Sequence, residues 1–135
     1  MNNESAIRLI QTAQWLNNEL NQSLSNIDIT GQQLKILSIL AESEQNRALV
    51  NDIKLHMLTP MSNVSRLLNK LMNKQLIIKK RDDIDQRKVY IHITKQGLIT
   101  LCEGKKLMDD ALSIMNKLEA SEQRSLVALL TKIKA

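Results

Sequence analysis

Apolar residues return along the start of the chain at helical intervals. Ala6, Leu9, Ala13, Leu16, Leu20 and Leu24 stand three or four positions apart on a polar background, the spacing of one face of an α-helix. Ile7, Ile10 and Trp15 widen that stripe, and Asn26 and Asp28 interrupt it. Thr30 then predicts a second helix start. Gln33 stands three residues on, as in a capping box, ahead of Leu34, Ile36, Leu37, Ile39 and Leu40. The polar stretch from Glu42 to Arg47 predicts a loop. A short helix is predicted from about Val50 to Met57, with Asp52 in its first turn, where a carboxylate suits the helix dipole.

Thr59-Pro60 predicts another start, a capping hydroxyl followed by proline at the first helical position. The helix it opens carries Met61, Val64, Leu67, Leu68, Leu71 and Met72 on one face. Ser62, Arg66, Asn69 and Asn73 fall opposite, with Asn63, Ser65 and Lys70 at the edges. Two short helices joined by a tight turn, the second presenting Ser, Asn and Arg outward, make a helix-turn-helix pattern.

The period then changes to two. Leu76, Ile77 and Ile78 lead into Lys79-Lys80-Arg81, and after the polar stretch Asp82–Arg87, Val89, Ile91 and Ile93 alternate with Lys88, Tyr90 and His92. These two runs predict a β-hairpin with a long charged tip, a wing. From about Lys95 helices return: Leu98, Leu101, Met108, Leu112 and Met115 form one stripe, and Leu107, Ala111, Ile114 and Leu118 a second. Ser121 is expected to cap a last helix through Leu126, Val127, Leu129, Leu130 and Ile133. The fold class is mainly α with a small β-hairpin wing (α+β): a winged helix-turn-helix lobe plus a helical region, in the order α-α-α-α-β-β-α-α.

Composition narrows the function. The chain has 135 residues, one domain's worth, with no Phe, three glycines and one proline, so its core must be Leu, Ile, Val and Met. No apolar run is long enough to span a membrane, and Met1–Glu4 show no secretory signal. A single cysteine, Cys102, excludes an internal disulfide and fits a reducing cytoplasm. The formal net charge is +5, concentrated in the middle. Ten basic residues (Lys54, Arg66, Lys70, Lys74, Lys79, Lys80, Arg81, Arg87, Lys88 and Lys95) stand there against Asp82, Asp83 and Asp85, a net of +7, while the rest of the chain nets −2. That is the footprint expected where a protein meets polyphosphate. No nucleophile elbow, phosphate-binding loop, zinc-hydrolase motif or catalytic carboxylate pair is present, so an enzyme is not expected. His56 and His92 lack neighbours in ligand spacing, so neither a metal nor another cofactor is implied.

Five segments carry a family resemblance: Asp28-Ile-Thr-Gly-Gln-Gln-Leu-Lys-Ile-Leu37, Asn63-Val-Ser-Arg-Leu-Leu-Asn-Lys-Leu71, the basic segment ending at Arg81, Asp85-Gln-Arg87 and Ile91-His-Ile-Thr-Lys-Gln-Gly97. In this order and spacing they resemble the MarR family of winged-helix transcription regulators over nearly the whole chain. The resemblance implies a single MarR-like domain. Residues 1–28 and 97–135 would form the dimerisation region of a homodimer, and residues 29–96 a lobe reading one half of a pseudo-palindromic operator. It implies double-stranded DNA as partner, a repressor by family habit, and a small-molecule effector in the cleft beside the dimer helices. Two departures stand out. Gln75 replaces the usual glycine after the recognition helix, so either it tolerates a left-handed backbone at a cost of about 1 kcal/mol or the turn is built differently. Asp83 stands where proline is common, which would leave the wing tip more mobile.

Candidate roles follow from side-chain chemistry. Lys70, Lys74, Lys79, Lys80, Arg81 and Lys88 are expected to neutralise phosphates. Arg66 suits guanine O6/N7, Asn63 and Asn69 suit adenine N6/N7, and Ser62 and Ser65 suit either bases or phosphates. Arg87 is expected in the minor groove, with Asp85 holding it or Arg81. Cys102, next to Leu101 in the helix after the wing, is expected to be a packed, inert thiol. Two other classes remain open: a thiol- or ligand-responsive sensor, and a winged-helix protein–protein module that does not bind an operator directly.

Overall fold

The computed structural model describes residues 2–57 and 61–135, with the side chains of Met61 and Ser62 also outside the description. The Thr59-Pro60 start signal therefore lies outside the described residues. Among the described residues, six α-helices and three short strands run in the order α1 (Glu4–Leu24), α2 (Gly31–Glu42), β1 (Arg47–Leu49), α3 (Val50–His56), α4 (Met61–Asn73), β2 (Ile77–Arg81), β3 (Val89–Ile93), α5 (Lys95–Leu112) and α6 (Ala120–Lys134).

Helix α2 is the post around which the lobe packs. Its capping box forms as its sequence implies: Gln33 N donates to Thr30 Oγ1 at 3.2 Å and Thr30 N to Gln33 Oε1 at 3.0 Å. Leu34, Ile36, Leu37 and Leu40 of α2 are buried with Ile53 of α3, Val64, Leu67, Leu68 and Leu71 of α4, Ile77, Ile91 and Ile93 of the hairpin, and Leu101 of α5. This is one contiguous aliphatic core.

The strands form an antiparallel sheet in the order β1-β3-β2. Ile77 faces Ile93 and Arg81 faces Val89 in the hairpin, while Arg47 faces His92 and Leu49 faces Tyr90 on the other side of β3. Strand β1 corrects the sequence reading, which ended the loop at Arg47 and began a helix near Val50. Three residues are too few to display an alternating pattern, and this strand exists because β3 offers it an edge to pair with.

Helix α5 is capped by Thr94, whose hydroxyl accepts from Gly97 N at 3.0 Å. The two C-terminal stripes do not run through one helix. α5 stops at Leu112 and a 3₁₀ turn, Ser113–Lys117, takes over, with Ser113 Oγ donating to Asp110 O at 2.6 Å. Helix α6 is capped by Glu119 rather than Ser121: Glu119 and Glu122 form a reciprocal box, with Glu119 N donating to Glu122 Oε1 at 2.9 Å. Two carboxylates at the positive end of the helix dipole outcompete a serine two residues further on. Neither long outer helix is covered along its length. Leu24 is the only buried residue of α1, and α6 has none.

Candidate nucleic-acid interface

Helix α4 is amphipathic as its spacing predicts. Val64, Leu67, Leu68 and Leu71 are buried, and Ser65, Arg66, Asn69, Lys70 and Asn73 are exposed, with Asn63 half-buried. Ser62 lies in the first turn of α4, and its side chain is outside the described residues. The helix ends in a Schellman arrangement, with Leu76 N donating to Leu71 O at 3.1 Å and Gln75 N to Met72 O at 2.9 Å. Gln75 takes the left-handed backbone the motif demands, at φ 62°, so the glutamine-for-glycine departure is absorbed without a change of turn. Thr94 Oγ1 donates to Gln75 O at 2.8 Å and holds the turn from the base of α5.

The wing tip is a hydrogen-bonded turn. Asp82 N donates to Lys88 O at 2.9 Å, Lys88 N to Asp85 O at 3.0 Å and Asp85 N to Asp82 Oδ2 at 3.2 Å. Of the two arginines considered for Asp85, the carboxylate takes Arg87: Arg87 Nε and its backbone N both donate to Asp85 Oδ1 at 3.1 Å. These charge-assisted bonds hold the Asp85 carboxyl below its ordinary value of 3.8. Arg81 instead donates from Nη1 to Gln86 O at 2.8 Å. The Arg87 side chain stands out from the tip at 91% exposure. Lys79 and Arg81 pair with Ile91 and Val89 and so share their face of the hairpin, whereas Lys80 pairs with Tyr90 on the other. Lys79, Lys80, Arg81 and Lys88 are all exposed.

That other face carries a cation the sequence reading missed. Arg47 of β1 stacks over the Tyr90 ring at 3.9 Å and reaches Asp82 at 3.6 Å, which ties β1 to the base of the wing. Tyr90 also meets His92 edge-on, with ring centroids 6.5 Å apart. Partial burial, and then the positive charges of Arg47 and Lys80, push the His92 pKa below its ordinary 6.5.

Two further side chains depart from expectation. Lys74, considered for a phosphate, has its ammonium directed at Asp28 and Gln33. Cys102 is exposed rather than packed, because one helical step of about 100° separates it from buried Leu101. Among the described residues no group of three or more His, Cys, Asp or Glu is placed to hold a metal, and no helix is long and apolar enough to cross a membrane.

Residues 19–101 match the family model for the transcriptional regulators SarA/Rot. Comparison with curated proteins finds no match. Among solved structures, the chain is similar to AbsC, a MarR family transcriptional regulator from Streptomyces coelicolor, with 21% identity, TM-score 0.85, and coverage of 97% of this chain and 90% of that one. It is similar to a mutant MarR from E. coli complexed with operator DNA, with 26% identity, TM-score 0.83 and coverage of 97% and 96%. A third, from Bordetella bronchiseptica, is BpsR, described for regulation of its DNA binding by 6-hydroxynicotinic acid, with 21% identity, TM-score 0.83 and coverage of 96% and 91%. Sequence match, helix order and wing agree: the chain belongs to the SarA/Rot family and is a DNA-binding transcriptional regulator of the MarR winged-helix type.

Proposed function

We propose that the chain is a sequence-specific repressor that binds a pseudo-palindromic operator as a homodimer, with α4 in the major groove and the wing in the minor groove. The observation that carries this reading is the pairing of an exposed Ser/Asn/Arg face on α4 with an exposed Arg87 braced by Asp85. Arg66, Asn63 and Asn69 present the donors and acceptors that base edges require, with Ser65 beside them and Ser62 preceding them in the sequence. Lys70, Lys79, Arg81 and Lys88 supply phosphate neutralisation. The similar E. coli MarR is in complex with operator DNA, which favours the same use of the fold here.

The homodimer rests on uncovered apolar surface. Ile7, Ile10 and Trp15 of α1 and Val127, Leu129 and Ile133 of α6 are all exposed in a single chain. Isolated amphipathic helices of this kind are not stable in water, and a two-fold partner would bury them. Residues 1–28 and 97–135 then form the dimerisation region around the 29–96 lobe. The polar outward face of α4 speaks against a purely protein-binding module, which would present apolar anchors there. Effector release is supported by a cavity of about 240 Å³ between α2 and α5, with Leu34, Leu101 and Met108 in its walls and Lys35 and Lys105 beside them. Such a lining suits a small anion with an apolar body.

Selection of binding sites from random duplex DNA with the purified full chain tests the reading. The expected product is an enriched sequence with two-fold symmetry and half-sites about 10 base pairs apart, or a multiple of that. Failure of any sequence to enrich over the starting pool overturns it.

A further inference from the structure

We infer that Lys74 is a positioning residue that sets the recognition helix against the α1–α2 junction, rather than one of the phosphate contacts. The inference rests on the DNA-binding reading above and assigns a separate task within it. Lys74 follows the last residue of α4. Its ammonium donates to the backbone carbonyl of Asp28, donates to Gln33 Oε1 at 3.5 Å, and lies 3.7 Å from Asp28 Oδ2. An ammonium has three protons and no acceptor, and here it meets three oxygens from one small region.

Two of those oxygens, the Asp28 carbonyl and Gln33 Oε1, are held in place by their own surroundings, while the Asp28 side chain is 93% exposed. Asp28 sits in the left-handed region at φ 52°, closing the 3₁₀ turn Ser25–Ile27, which directs its carbonyl. Gln33 is only 3% exposed, and its Oε1 is pinned by Thr30 N in the capping box. The Lys74 side chain is itself 29% exposed, and a lysine reaching out to a phosphate would give up all three oxygens. On the next residue, Thr94 holds the Gln75 carbonyl. Consecutive residues at the end of α4 are thus fixed to two different parts of the chain, the α1–α2 junction and the start of α5. Asp28, which follows α1, is thereby linked directly to the end of α4.

The test compares the full chain with Lys74→Met, Lys74→Arg and Lys79→Met, the last as a phosphate-contact control. Affinity for the selected duplex is read by fluorescence anisotropy between about 50 and 200 mM salt. Lys74→Met is expected to weaken binding about five- to tenfold with the slope of log K against log salt unchanged, and Lys74→Arg to restore most of the loss. Lys79→Met is expected to flatten the slope by about 0.9. A slope flattened by Lys74→Met as much as by Lys79→Met, or an unchanged affinity, overturns the assignment. Amide hydrogen exchange in the free protein reads the clamp without DNA: Lys74→Met, but not Lys79→Met, should speed exchange at Gln75 and Leu76 several-fold. Unchanged exchange there overturns the clamp even if no duplex is bound, whereas faster exchange without duplex binding removes only the DNA reading.

Discussion

Arg87 donates from Nε and from its backbone N to the same oxygen of Asp85, Oδ1, each at 3.1 Å. An acid in a surface proposed to meet phosphates is unfavourable in itself, and here its carboxylate is taken up by Arg87. The carboxylate fixes the guanidinium's direction while leaving its far side exposed.

Arg87→Ala should therefore weaken binding to the selected duplex by about 1–3 kcal/mol without changing the chain's oligomeric mass, measured by anisotropy and light scattering. Asp85→Asn should weaken it less, since the cation remains and only its pose is lost. Because the Asp85 pKa is depressed, the brace is present above its ordinary value of 3.8 and is lost only as pH falls through the lowered value. Affinity should show no step from this pair between about pH 5 and pH 8.

His92 shifts in the same direction, through partial burial and neighbouring positive charge rather than through a hydrogen bond. Its folded pKa lies below 6.5, so the unfolded chain takes up its proton first as the solution is acidified. Stability is complete above about pH 6.5 and falls as pH drops from there through the lowered value. Denaturant midpoints measured on either side of that window should differ in the wild type, and His92→Gln should reduce the difference.

Gly97 packs its backbone where a side chain cannot go. A Cβ there would run into the Leu76 carbonyl oxygen and approach Ile93 Cγ1 at 2.7 Å. Gly97→Ala should lower stability by about 1–3 kcal/mol, read as a fall in denaturation midpoint, because neither the Leu76 backbone nor the packed Ile93 can give way freely.

The proposed dimer places the exposed faces of α1 and α6 against a second copy. Val127 and Ile133 are 63% and 67% exposed in the single chain. Val127→Glu together with Ile133→Glu should halve the mass seen by light scattering and abolish binding to a two-half-site duplex. A wild type that is already monomeric at micromolar concentration would contradict the arrangement.

The sequence made the lobe legible where one local pattern decides the structure. The 3.6-residue spacing of Val64, Leu67, Leu68 and Leu71 predicts α4 and its buried face, and Thr30 with Gln33 predicts the start of α2 down to both hydrogen bonds. It was illegible where a partner decides. Strand β1 is three residues held by β3, and the Arg47–Tyr90 stack comes with it. Lys74 reads as one more basic residue until the fold brings it to Asp28 and Gln33, 46 and 41 positions away. Ser121 reads as the cap of α6 because serine is the commoner capping residue, whereas Glu119, three residues before Glu122, is the one that forms the box.

Methylation protection of guanine N7 on the selected duplex, with dimethyl sulfate and wild-type, Arg66→Ala and Arg87→Ala proteins in parallel, tests the central claim most directly. At saturating protein, wild type should shield guanines in two symmetric major-groove patches, and Arg66→Ala should unmask one of them in each half-site. Arg87→Ala should leave the major-groove pattern intact and lose only protection of adenine N3 in the flanking minor groove. Identical protection by all three proteins, or none in the major groove, would contradict the account.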